Sequence, residues 1–270
     1  MKKYILIIGI ALFLIASQFA YAQKVVRVRN VQEFVTSVAS NVTIELEYGL
    51  YNLSAFANPN GENGYNISYV DNLTIRGVGR FPSELVLDSD PYATVMIFTE
   101  CNNIRLENVE IGHGAVAGFC TGAVIKAIDT KGLTVSKSVL YGSGTYGIES
   151  RNSQNITVDN STVRSCTYGA MYMTNTPNIS FNNVTFTDNR GFDIFHFENC
   201  PNVVFNACII KDNHNEENSS LFEVSGNTSV NLNNTLVKFN NVGYLANKRN
   251  AFRLFSSFVE SNSFKRSEYK

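Results

Sequence analysis

Along the middle of the chain, apolar and polar residues alternate in runs too short for helices, and the runs recur. Five phrases share the form N-[ILV]-x-[FVIL]: NLTIRG at Asn72, NIRLEN at Asn103, NITVDN at Asn155, NISFNN at Asn178 and NVVFNA at Asn202. GLTVSK at Gly132 and SVNLNN at Ser229 are degenerate copies, and NVTIELEYGLY at Asn41 begins the series. Taking the first apolar residue of each as a mark gives Leu73, Ile104, Leu133, Ile156, Ile179, Val203 and Val230, at intervals of 31, 29, 23, 23, 24 and 27 residues. Eight residues before the marks stand Met96, Ile125, Ile148, Met171, Phe195 and Phe222. Two residues later, Phe98, Ala127, Ser150, Met173, Phe197 and Val224 keep the same parity. Period-two alternation is that of strands with one buried face. Each repeat holds three such runs separated by corners. A repeat of this length with three strands and no helical spacing predicts one turn of a parallel β-solenoid, since a propeller blade needs about 40 residues or more.

Asparagine occurs 34 times, while charged residues make up only 17% of the chain. Asn108, Asn160, Asn183 and Asn234 each fall four residues after a mark, at a tight corner. Stacked corners of this kind predict an asparagine ladder that satisfies backbone groups left over by the bend. Asn30 followed by Val31, Phe34, Val35 and Val38 predicts an N-capped amphipathic helix covering the first turn. The Phe-rich stretch with Phe252, Leu254, Phe255 and Phe258 is the candidate cover at the other end. The expected organisation is therefore residues 1–22 as a leader and 23–270 as one domain, with 30–40 the capping helix, 41–245 the turns and 246–270 a C-terminal cap or tail.

The leader is read from Lys2 and Lys3, the apolar run Tyr4 to Ile15, and Ala20-Tyr21-Ala22, which together have the form of a cleavable export signal. The apolar run is shorter than the roughly 20 residues that span a bilayer. The expectation is a secreted protein, in the periplasm, on the cell surface or outside the cell, with no transmembrane segment after cleavage. Loss of two lysines takes the formal charge from −1 to −3, which offers no broad basic surface for nucleic acid. The five cysteines fit no zinc spacing and read as small buried apolar side chains.

The turns from Leu73 to about Asn241, with their NITVDN and NISFNN phrases, resemble the right-handed parallel β-helix superfamily that contains pectate lyases and polygalacturonases. The resemblance implies an all-β, single-stranded right-handed parallel β-helix with three short strands per turn. It also implies that the strands carrying Ile148, Met171 and Phe195 form the first sheet, whose outward face is the usual carbohydrate groove. Outward positions there fall in two columns. One reads Ile97, Lys126, Glu149, Tyr172, His196, Glu223, and its neighbour reads Thr99, Ile128, Arg151, Thr174, Glu198, Ser225.

A lyase acting on a uronate-containing polysaccharide needs a base and a cation to neutralise the carboxylate, roles open to Lys126, Arg151 and His196. Glu149, Glu198 and Glu223 are candidate calcium ligands. A hydrolase would use two carboxyls, for which Glu149 and Glu198 are candidates. The residues equally fit a solvated sheet face with weak surface pairs. A second cluster lies in the corner loops around Gly112 to Gly122, where His113, Cys120, Tyr141, Tyr146, Cys166 and Tyr168 are candidates for one rim of the same face. His113, Tyr146 and Tyr168, with Tyr172 and Glu223 on the face, are the expected glycan-binding residues. Two functions stay open: a polysaccharide lyase or hydrolase, and a non-catalytic glycan-binding or structural protein.

Overall fold

A computed structural model describes residues 23–58, 62–88, 93–114, 122–142 and 144–270. The expected leader and Cys120 lie outside the described residues. The strands form three long parallel sheets, in which each strand pairs with its counterpart one turn earlier and one turn later. The first sheet runs from Gly64–Ser68 to Tyr244–Ala246, the second from Lys24–Val28 to Phe252–Phe255 and the third from Leu50–Asn52 to Phe258–Glu260. The predicted register holds residue for residue. In the second sheet Leu73 pairs with Ile104, Leu133 with Ile156, and Ile179 with Val203. In the first sheet Met96, Ile125, Ile148, Met171, Phe195 and Phe222 stand in one line.

Inward parity fills the coil with apolar side chains. Smaller residues such as Val158, Val163 and Ile148 occupy the middle turns. Phe181, Phe186, Phe195, Phe197, Phe205 and Phe222, all fully buried, occupy the later ones. Cys101, Cys166, Cys200 and Cys208 are also buried. Burial pushes the Cys200 and Cys208 thiols up to about 11, which keeps them from the reactive thiolate form. A thiol reagent at pH 8 is therefore expected to label Cys101, Cys200 and Cys208 in denaturant and not in buffer. Rapid labelling of any of these three in the folded protein would contradict the packing.

Four positions per turn, spread over its three corners, require left-handed backbone, and this explains the asparagine content. One corner holds Asn41, Asn72, Asn103, Gly132, Asn155, Asn178 and Asn202, all at positive φ. Another holds Asn108, Lys137, Asn160, Asn183, Ala207 and Asn234. Asn and Gly tolerate this conformation best among the residues. The expected ladder at the second of these corners is limited to one link, in which Asn183 donates to Asn160 over 2.9 Å. Lys137 and Ala207 interrupt it, and Asn108 donates instead to the Gly77 and Gly79 carbonyls. Longer ladders run elsewhere. Asn103 donates to Asn72 and Asn72 to Asn41 at the first corner. A buried series links Asn189, Asn213, Asn240 and Asn262 between the third and first sheets.

Helix α1 (Val31–Ser37) closes the first turn. Asn30 Oδ1 accepts the Glu33 N–H, and the Glu33 carboxylate accepts the Arg29 N–H. Phe34 is fully buried against the rings of Tyr51 and Tyr65. The Phe-rich segment at the other end is a further turn rather than a cover. Phe252 pairs with Val230 and Leu254 with Leu232, and Phe258 pairs with Leu236. Leu254 therefore takes a core position, yet it is 43% exposed because no strand lies beyond it among the described residues.

Candidate functional site

The two outward columns of the first sheet pair in the predicted order. Lys126 lies between Ile97 and Glu149, Tyr172 between Glu149 and His196, and Glu223 follows His196. Ile128, Arg151, Thr174 and Glu198 form the neighbouring column. Although Ile97 points outward it is fully buried. The backbone at Gly64 lies so close that an added Cβ would come within 2.9 Å of Ile97 Cδ1. The segment entering the Gly64–Ser68 strand thus forms a wall at this end of the face.

That wall carries Glu62. Lys126 Nζ stands 2.9 Å from Glu62 Oε2 and 3.2 Å from Glu149 Oε2, while an Arg151 guanidinium nitrogen is 3.7 Å from Glu62 Oε1. Desolvation works to lower the Lys126 pKa, but Glu149 and Glu62 together outweigh it and hold the ammonium above its ordinary range. Lys126, Ile128, Glu149, Ser150, Arg151, Tyr172 and Thr174 line a depression of about 120 Å³. Small-molecule pockets usually enclose roughly 300–1,000 Å³, so this feature is a shallow surface rather than an enclosing pocket.

Beyond the charges the face is aromatic. Tyr172 stacks on His196 with centroids 4.5 Å apart and planes at 17°, and Tyr146 lies 5.2 Å from Tyr172. Tyr168 meets both Tyr146 and Phe192, edge to face. The row spans successive turns because Tyr146, Tyr172 and His196 sit on successive strands of a parallel stack. Asp193 Oδ2 is 3.9 Å from His196 Nδ1. Burial raises the Tyr146 pKa, so its hydroxyl remains a donor across neutral pH.

Not every expected residue joins this cluster. Glu198 is exposed and separated from Arg151 by the intervening Thr174. Glu223 is occupied by Ser220 and Asn247. The three candidate calcium ligands therefore lie on different turns, and no group of three or more His, Cys, Asp and Glu side chains converges among the described residues. His113 was expected on the rim, but it shares inward parity with Val109 and Ile111. It is buried, and its Nε2–H donates to the Ala93 carbonyl over 2.7 Å. Cys166 is also buried, and Tyr141 belongs to the outward face of the third sheet, not to the first.

A family model described as the right-handed beta helix region matches residues 93–264. The chain belongs to the right-handed β-helix family. Among solved structures, this β-helix is similar to pectate lyase Pel9A at 11% identity and a TM-score of 0.43, over 86% of this chain and 72% of that one. It is also similar to PfbA, a surface adhesin of Streptococcus pneumoniae, at 12% identity and a TM-score of 0.39, over 92% and 82% of the two chains. No curated protein matches the sequence. Both structural likenesses are distant, and neither carries an activity over to this β-helix. Its site is defined by its own residues, three of which escaped the repeat pattern. Glu62, Phe192 and Asp193 sit in segments between strands, where no parity rule places a side chain. Their only signal is the chain length between marks: 31 residues up to Leu73, and the DNRGFD stretch before Phe195.

Proposed function

We propose that this β-helix protein is exported by its leader and binds neutral polysaccharide along the outward face of the first sheet, without cleaving it. The observation that carries the reading is the aromatic row Tyr146, Tyr172, His196 beside a shallow, open depression. A row of half-buried rings along a groove offers an apolar strip to sugar rings, and an extended polymer needs a long shallow track more than a deep pocket.

The charges favour a neutral ligand. Glu62, Glu149, Asp193, Glu198 and Glu223 stand against Lys126 and Arg151 on or beside this face, an excess of three negative charges with His196 set aside. A uronate chain would be repelled. Removal of a proton beside a uronate also needs a base that is unprotonated at working pH, whereas Lys126 is held in its charged form by two carboxylates.

Retention of the full chain in gels containing neutral or uronate polysaccharides tests both statements. The expected result is retardation by at least one neutral polymer, with no release of unsaturated products or reducing ends. Tyr172→Ala is expected to weaken binding about tenfold, equivalent to roughly 1.4 kcal/mol. Depolymerisation of any polymer that is lost in Lys126→Ala would overturn the proposal.

A further inference from the structure

The third sheet carries a second concavity, larger than the first and on another face of the coil. Its volume is about 490 Å³, and Tyr48, Leu50, Phe81, Pro82, Glu84 and Glu110 line it. It arises where the 31-residue interval before Ile104 places extra chain, Val78 to Pro82, at the corner between the second and third sheets. This loop folds back on the corner before it: a Cβ added at Gly79 would lie 3.4 Å from Tyr48 Cβ. Tyr48 and Phe81 consequently meet at a tilt of 57° with centroids 6.3 Å apart, yet remain 71% and 60% exposed.

The floor is polar. Glu84 and Glu110 are paired residues of adjacent strands, so their stems stand about 4.8 Å apart. Like charges directly opposite one another cost stability. Each is held by one partner: Tyr141 donates its hydroxyl to Glu84 Oε1, and Arg164 donates to Glu110 Oε1 over 3.0 Å. Arg164 in turn lies over the Tyr141 ring. The second oxygen of each carboxylate is left as an acceptor at the cleft floor. Arg80 lies over the Phe81 ring, 5.6 Å from its centroid, and Arg164 is the guanidinium paired with the floor, through Glu110.

We propose that this cleft is a second binding site, specific for a neutral pyranose, whose apolar face lies against the exposed surface of Tyr48 and Phe81 while hydroxyl groups donate to Glu84 and Glu110. The volume falls within the roughly 300–1,000 Å³ usual for small-ligand sites. Two exposed rings supply stacking area, and two fixed carboxylates supply acceptors for adjacent hydroxyls. An anionic sugar would meet both carboxylates. A cationic one would meet the guanidinium of Arg164 already paired with Glu110 and that of Arg80 over the Phe81 ring. The site stands on its own residues and does not depend on binding at the first sheet.

The test is titration of the full chain with neutral hexose oligosaccharides of several backbones, with oligogalacturonate and tetramethylammonium as charged probes, followed by amide chemical shifts and calorimetry. The expected result is that at least one neutral oligosaccharide shifts amides around Tyr48, Leu50 and Phe81. Phe81→Ala and Glu110→Gln should each weaken that binding by about tenfold or more. Tyr172→Ala should leave it unchanged, which separates this site from the first-sheet face. Shifts confined to the first sheet would overturn the proposal, as would binding of a charged probe alone, no binding at all, or affinity in Phe81→Ala within about twofold of the parent.

Discussion

Phe205→Ala is expected to lower the stability of the protein by about 3–5 kcal/mol, the range found when a fully buried Phe is cut to Ala. Phe205 is completely buried and touches rings on every side. Phe181 lies 4.6 Å away, Phe195 5.2 Å and Phe222 5.7 Å, with Phe186 and Phe197 also within reach. Its neighbours come from all three sheets, so the void cannot be closed by moving one strand without displacing the others. The control is Phe255→Ala, at an outward position that is 53% exposed, which should change stability by no more than roughly 0.5 kcal/mol. Urea midpoints of the two variants decide the matter, and equal midpoints would refute this account of the core. Because a solenoid turn contacts only its neighbours, hydrogen exchange in Phe205→Ala should quicken first between Phe181 and Phe222.

That core could be read before any coordinates, because strand parity is a strict rule. With Leu73 to Val230 as marks, the inward residues of the first and second sheets follow by counting, and so do the outward columns from Ile97 to Glu223. Counting also had the means to exclude His113, whose parity with Val109 and Ile111 turns it inward. The glycines around it point instead to a loop and a rim position, and parity overrides them. The limits of counting lie where the repeat lengthens. Glu62 reaches Lys126 across 64 residues, and Phe81 reaches Tyr48 from a loop inserted between strands. Neither contact is encoded in any periodicity. The pairing that neutralises Lys126, and with it the reading of the face as a binding surface, therefore required the fold.

The corners show the same division between what spacing reveals and what it hides. Asparagine abundance pointed to corners, but the corner chosen from spacing carries only the Asn183–Asn160 link. The ladder that matters most for stability is the buried one. Asn189, Asn213 and Asn240 are almost wholly inaccessible to solvent. Asn213 Oδ1 accepts from the Asn189 backbone N–H and from its side-chain amide, both over 3.0 Å. Its own amide donates to the Phe186 carbonyl over 3.1 Å and to Asn240 Oδ1 over 2.9 Å. Each turn thus supplies the partners that the next turn needs. Stranding a buried polar group costs about 1–3 kcal/mol, and Asn213→Ala strands several at once. The variant is expected to lose roughly 3 kcal/mol or more. Asn213→Asp should be no better, since it replaces two donors with a buried negative charge facing the Phe186 carbonyl and Asn240 Oδ1. By contrast Asn178, in the exposed ladder with Asn155 and Asn202, can exchange its partners for water. Asn178→Gly, which keeps the left-handed backbone accessible, should cost about 1 kcal/mol at most. Thermal and urea unfolding of the three variants would order them, and an Asn213→Ala protein as stable as Asn178→Gly would show that the buried series is not what holds the third and first sheets together.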